Sequence, residues 1–479
     1  MKRATALIAV IFLFCISPLL LSAKIILPSF FGDDMVLQQK TEAAIWGWAK
    51  PNSIVQLTSS WNKKKYSFKA DATGKWKTKI NTPGAGGPFE ITITDGEALT
   101  IKNILIGEVW LCSGQSNMEM PMKGFRDQPV LNSNDAIFNS ANPQLRLYKV
   151  PHAIKTIEQD STKNANWKLA GPEAVSNFSA AAYHFGSLLQ QQLKVPVGLI
   201  DISYSGSSAE AWMSPEALKE FPELPVPAIT DSAKANNNTP TVLYNGMLKP
   251  FIGYAIKGCI WYQGESNRSR SDQYEKLFPA MVKQWRTEFG LGDFPFFFAQ
   301  IAPYNYFQNI NATTSPDRKG NSAYLRDAQR KAVDKIPNSG MVVLMDNGIE
   351  PGIHPPDKEI VGKRFAYLAL GNTYQLKGFA YQSPAFDSLL INGNTATIKF
   401  KYAPNGLTTY GKTLTQFEIA GADKIFRPAI ANIRNGTIVL LSPFVTAPVA
   451  VRYAFKDFIV GELFSTEGYP VSSFRTDDW

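Results

Sequence analysis

The chain is poor in the residues that build metal sites and disulfide frameworks. Its 479 residues include three cysteines and three histidines. Cys15 lies in the N-terminal apolar run, which leaves Cys112 and Cys259, each inside an apolar stretch. Two such thiols form no disulfide framework and no metal-binding spacing, and two buried free thiols suit them better than a bridge. Charge is also sparse, at 19% of residues. The net charge of +9 comes from dispersed basic residues. The one short basic run, 61–65, reads as a solvated loop face, and no nucleic-acid module is recognisable. Beyond residue 23 no run of 18 uninterrupted apolar residues occurs, so no later segment is expected to span a membrane.

Residues 1–23 differ from everything after them. Lys2 and Arg3 give a positive start, residues 6–21 are almost entirely apolar, and Leu21-Ser22-Ala23 offers a small-residue cleavage site. That is the pattern of a secretory signal peptide, and the run is short for a span. Cys15 does not make it a lipoprotein signal, because Phe14 before it is too bulky. The expected mature protein is secreted or periplasmic.

Three compositional zones follow. Residues 24–103 carry apolar runs at 43–48, 53–58, 66–70, 76–80 and 89–94, separated by turn signals such as Lys50-Pro51-Asn52 and the glycine-rich 83–88. That spacing predicts a small β-sandwich. In 104–379 the character changes. Bare apolar runs at 104–112, 197–203, 256–262, 296–301 and 341–345 predict parallel strands covered on both faces. Helical patterns at 178–193, 272–289, 324–335 and 357–370 lie between and after them. The sum is an α/β domain with a doubly wound parallel sheet. In 380–479 β patterning returns, with hairpin signals at Asn392-Gly393 and Asn435-Gly436, and predicts a second β-sandwich-like domain. The connectors 235–238 and 309–321 read as surface loops.

An open α/β sheet binds ligands beyond the carboxyl ends of its strands. The first strand is followed by Ser113-Gly114-Gln115-Ser116-Asn117 and the second by Ser205-Gly206-Ser207-Ser208. The third is followed by Gln263-Gly264-Glu265-Ser266-Asn267, and the fifth by Asp346 and then His354. A serine, a glycine turn, an amide–carboxylate cluster and a histidine are thus expected on one rim. Ester hydrolysis needs an activated hydroxyl, a base for its proton and donors for the developing oxyanion. The Gly-x-Ser-x-Gly elbow of α/β-hydrolases is missing. A serine beside a glycine commonly just caps a turn, and only its strand-end position raises Ser116 above that. His184 falls in an apolar helix and reads as core, and His152 follows Pro151 in a polar stretch and reads as a loop residue. His354 lies past the last strand and before a helix capped near Asp357, a suitable place for a general base.

With Gly-Gln-Ser-Asn-Met at 114–118, Trp-Tyr-Gln-Gly-Glu-Ser-Asn at 261–267 and Ile-His-Pro-Pro-Asp-Lys at 353–358, the chain resembles the sialate O-acetylesterase family, carbohydrate esterases of the SGNH/GDSL-like hydrolase superfamily. The likeness extends through 107–112, 209–214 and 243–247 and spans about 24–470. It implies an SGNH-like fold and removal of O-acetyl groups from sugars through an acetyl-enzyme, with no cofactor or metal. It also implies Ser116 as nucleophile, His354 as base and then acid, and an oxyanion hole from the backbone N–H groups of Ser116 and Gly206. A side-chain amide would complete the hole, with Gln263 the first choice and Asn267 its competitor.

One position departs from the superfamily pattern. Where many members carry an aspartate three residues before the histidine, this chain has Pro351. Asp346, Glu350, Asp357 and Glu265 are the carboxylates near enough to replace it, or a backbone carbonyl takes the role. Asp346 is preferred because it ends the fifth strand, although it serves equally well as a turn cap. Glu265 either orders the loop carrying Gln263 or touches His354, and the first is favoured. Trp212, Tyr262, Tyr304 and Tyr306 are aromatic candidates for a sugar face, or ordinary packing. Two other classes stay open: a carbohydrate-binding module with a decayed site, and a thioesterase or lipase on the same fold. The identity of the sugar is left to loops such as 120–177 and 303–323.

Overall fold

The computed structural model describes residues 24–228, 230, 233–306 and 321–479. The expected signal segment and most of the 309–321 connector lie outside them.

Each bare apolar run of the middle zone becomes a strand with side chains committed to two cores. The parallel strands lie side by side in the order Ser339–Val342, Phe296–Ala299, Gly258–Tyr262, Ala98–Gly114, Val197–Ser203 and Asn142–Lys149. Lys168–Ala170 closes the edge antiparallel to Asn142–Lys149. Alternate residues face opposite sides, as the two-residue period requires. Val109, Leu111, Cys259, Trp261, Phe296 and Phe298 enter one core with the helices Ser271–Phe289 and Ala323–Lys335. Trp110, Cys112, Ile260, Tyr262, Phe297 and Ala299 enter the other with Ala180–Leu193 and Lys358–Asn372. The same alternation keeps the thiols apart. Cys259 pairs in register with Leu111 rather than Cys112, so the two sulfurs point to opposite faces and both are free.

Two helix starts follow from their capping residues. The Ser179 hydroxyl accepts the Ala182 N–H at 3.1 Å, and the Asp357 carboxylate accepts the Ile360 N–H at 3.0 Å. Close contact between these two helices needs glycine. A Cβ on Gly362 would lie 2.6 Å from the Ala181 carbonyl oxygen. This contact seats the helix that follows His354.

Two expectations change. The boundary set between 103 and 104 falls inside one 17-residue strand, Ala98–Gly114. Its first half pairs with the N-terminal strand Gly86–Thr94, and its second half is the centre of the parallel sheet. A second difference is the strand Asn142–Lys149, inside a stretch expected as loop. Its apolar pattern is interrupted by Arg146, a buried cation compensated by Asp34 at 3.0 Å. The C-terminal hairpins form at the expected asparagine–glycine pairs, and Asn435 and Gly436 both take positive φ. Their core includes Val343 and Met345, so the C-terminal strands pack on the end of the central sheet.

Candidate active site

The chain order of the strands reverses around Ala98–Gly114. The strand Val197–Ser203 lies on one side and Gly258–Tyr262 on the other. That is the switch point at which open α/β sheets hold ligands, and the turn after Gly114 occupies it. Gly114 has a φ of 139°, and a Cβ there would meet the Tyr262 carbonyl oxygen at 2.1 Å. Only glycine fits. The chain then enters a single helical turn, Ser116–Glu119. Ser116 is nearly buried but keeps 7% of its surface open.

Hydrogen bonds from this turn gather the other strand ends. Gln115 Oε1 accepts the N–H groups of Gly264 and Ser266, both at 3.3 Å. Asn117 Nδ2 donates to Glu265 Oε1 at 2.6 Å and to the Ile353 carbonyl at 3.0 Å. Asn117 Oδ1 accepts from Lys358 Nζ at 2.5 Å. The neighbour of Ser116 is thus bonded to the neighbour of His354, across 236 residues of chain.

His354 is held by a segment within the 120–177 stretch, where no catalytic candidate was expected. Its Nδ1 pairs with Gln128 Oε1, and the edge of Phe125 packs on its ring at 5.4 Å. The Leu131 N–H donates to the Pro356 carbonyl at 2.9 Å and pins this segment to the histidine turn. Burial, with a smaller contribution from the Lys358 charge, pushes the imidazole down to about 4. Asp346, the preferred orienting acid, goes elsewhere. Both its oxygens receive Arg364, at 2.7 and 2.6 Å. Asp357 caps its helix and Glu350 accepts from Asn305. Glu265 is buried against Asn117, and burial raises its carboxyl above the usual range.

At the second strand end Gly206 has a φ of 69°. Glu119 fixes this turn, because its Oε2 accepts the Ser205 N–H at 2.5 Å and the Ser205 hydroxyl at 2.6 Å. Its other oxygen is 2.9 Å from His152 Nε2, and the His152 ring stacks on Tyr204 at 4.0 Å. His152, read as a plain loop residue, therefore braces the second turn through Glu119. Among the described residues the backbone N–H groups of Ser116 and Gly206 make no hydrogen bond. Both remain available to a ligand.

The two amide candidates differ in what they have left to give. Gln263 Nε2 donates to the Ser207 carbonyl at 3.1 Å and to Asn267 Oδ1 at 2.6 Å, which uses both its hydrogens. Asn267 Nδ2 donates one hydrogen to Glu210 Oε2 at 2.8 Å. Its second N–H has no partner among the described residues. Of the aromatic candidates, Trp212 and Tyr262 are fully buried and present no face to a sugar. Tyr304 and Tyr306 are partly exposed and meet edge to face at 4.7 Å. Among the described residues no helix is long and apolar enough to cross a membrane.

Comparison with known proteins agrees with this geometry. Residues 106–355 match the family model described as carbohydrate esterase, sialic acid-specific acetylesterase. The human sialate O-acetylesterase is 29% identical, aligned over 78% of this chain and 76% of that protein. The rat protein of that name is also 29% identical, over 89% of each chain. The crystal structure of a carbohydrate acetylesterase from Xanthomonas citri superposes with a TM-score of 0.86 at 33% identity, over 95% of this chain and all of that one. A family match that spans all four converging strand ends, and a full-length structural match at this identity, lead to one conclusion: the chain belongs to the sialic acid-specific acetylesterase family and is a carbohydrate esterase.

Proposed function

We propose that this chain removes O-acetyl groups from carbohydrate by serine catalysis, with Ser116 as nucleophile and His354 as general base. The reading rests on one contact above all: the bond from Asn117 to the Ile353 carbonyl, which holds the serine and histidine turns side by side. Ser116 Oγ attacks the acetyl carbonyl carbon while His354 Nε2 takes the hydroxyl proton. The tetrahedral oxyanion is received by the N–H groups of Ser116 and Gly206 and by the unused N–H of Asn267. That choice reverses the order expected from the family motif, because the Gln263 amide has no hydrogen to spare. The ester C–O bond then breaks and His354 returns the proton to the departing sugar oxygen. Water attacks the acetyl-enzyme as His354 takes its proton, and the bond from Ser116 Oγ to the acyl carbon then breaks, with His354 returning that proton to Oγ as acetate leaves.

In this reading Gln128, not Asp346, orients the imidazole. The amide oxygen on Nδ1 selects the tautomer with its proton there and leaves Nε2 free to accept. A base held near 4 stays neutral from mildly acidic pH upward. The fold reading is the SGNH-like doubly wound domain, flanked by β-rich parts at about 24–103 and 380–479, with export directed by residues 1–23. Replacing Ser116 with alanine should abolish acetate release and phosphonate labelling while leaving the melting midpoint nearly unchanged. Turnover retained by Ser116→Ala would overturn the assignment.

A further inference from the structure

A buried lysine sits where a cation is least welcome. Lys358 is wholly enclosed, in the first turn of the helix Lys358–Asn372, at the positive end of the helix dipole. Such a group persists only where other contacts compensate it. Its Nζ donates to Asn117 Oδ1 at 2.5 Å and lies 5.8 Å from the centre of the Tyr262 ring. The same Asn117 amide donates to Glu265 and to the Ile353 carbonyl. One side chain thus joins the serine turn, the third strand end and both flanks of His354. Among the described residues Glu265 Oε2 has no hydrogen-bond partner, and the carboxyl group acts on Lys358 across this cluster.

We infer that Lys358, Asn117 and Glu265 form a positioning clamp that sets the separation of Ser116 and His354, with Lys358 also acting on the imidazole through its charge. The inference rests on the catalytic reading of those two residues. The groups facing Lys358 are Glu265 from the third strand end, Asp357 at its own helix cap, His354, and the Tyr262 ring. Those facing His354 are Gln128 and Phe125 from the overlying segment and Lys358 from its own. Burial draws the Lys358 ammonium down to about 7, opposed by Glu265 and then Asp357. Removing its charge therefore changes what His354 experiences, whereas removing Asn117 leaves the Lys358 charge in place and acts first on where His354 sits.

The test compares Asn117→Ala with Lys358→Met in the full chain, using 4-nitrophenyl acetate and counting active sites by phosphonate titration. Asn117→Ala should lower kcat per titrated site about 100-fold, with KM within about threefold and the acid limb of kcat/KM unmoved. Lys358→Met should lower kcat and also move the acid limb up by about one pH unit, and Lys358→Arg should return the limb toward its original place. Wild-type kcat in Asn117→Ala, or an unmoved acid limb in Lys358→Met, overturns the clamp. If Lys358→Met does not fold, Lys358→Gln takes its place: it keeps a donor toward Asn117, removes the charge, and should also move the limb upward. An unmoved limb in Lys358→Gln counts against the clamp equally. Phosphonate labelling of Ser116 in the wild type keeps the catalytic reading separate, because it stands or falls without these variants.

Discussion

Replacing Gln128 with glutamate puts a carboxylate on His354 Nδ1, the arrangement common in serine hydrolases, in place of the amide that holds it here. A unit charge at about 3 Å is worth up to about 5 kcal/mol at an effective dielectric of about 20. Gln128 is exposed, so water and salt reduce this to about 1–1.5 kcal/mol, or about one pH unit. The sign follows from the charge. A carboxylate stabilises the imidazolium, so the acid limb of kcat/KM should rise from near 4, where burial holds the imidazole, by about one pH unit. Gln128→Ala removes the partner without adding charge. It should lower kcat about 10- to 100-fold through loss of ring orientation and leave the limb where it was. The assay is the pH profile of 4-nitrophenyl acetate hydrolysis between about pH 3.5 and 8 for all three proteins. Wild-type kcat in Gln128→Ala, or a limb in Gln128→Glu that coincides with the wild type, would refute the assignment.

Asp346→Ala should act on stability rather than on the base: it strands the buried Arg364 charge, costs about 3 kcal/mol in chemical denaturation, and leaves the acid limb in place. A shifted limb at normal stability would restore Asp346 as the orienting acid. Asn267→Ala should lower kcat at least about 100-fold with little change in KM, as loss of one oxyanion donor does, and an unchanged kcat would return that role to Gln263. Acid should also unfold the protein through two histidines. Burial depresses both His184 and His354 to about 4, so the unfolded chain binds more protons between their ordinary value and that one. Their contribution is complete above about pH 6.5 and is lost as pH falls through about 4, on the order of 3 kcal/mol for each. His184→Phe, at a site where the native Nε2 is buried with no partner among the described residues, should flatten part of that slope in urea titrations, and an unaltered slope would contradict it. Finally, nitrophenyl esters from acetyl to octanoyl should show a sharp preference for acetyl. Activity rising with chain length would favour a lipase or thioesterase.

The parts of this protein legible in its sequence are those governed by short-range rules. Unbroken apolar runs become parallel strands buried on both faces. Asp357 starts a helix because its side chain satisfies one of the first free N–H groups. Asn435-Gly436 turns a hairpin because both residues tolerate positive φ. Strand-end position, together with the family motifs, brought Ser116, Gly206, Asn267 and His354 onto one list. What tertiary structure alone decided is which polar group each of them meets. Asp346 lies in the turn after the strand Ser339–Val342, yet Arg364 from the following helix takes both its oxygens. Gln128 reaches His354 across 226 residues, and Lys358 reaches Asn117 across 241. His152 turned out to hold Glu119, and through it the Gly206 turn. A hydrogen bond between distant segments leaves no periodicity or spacing in either of them. It depends on how the loops at one end of the sheet pack, so the residue types were readable in the chain while their partners were not.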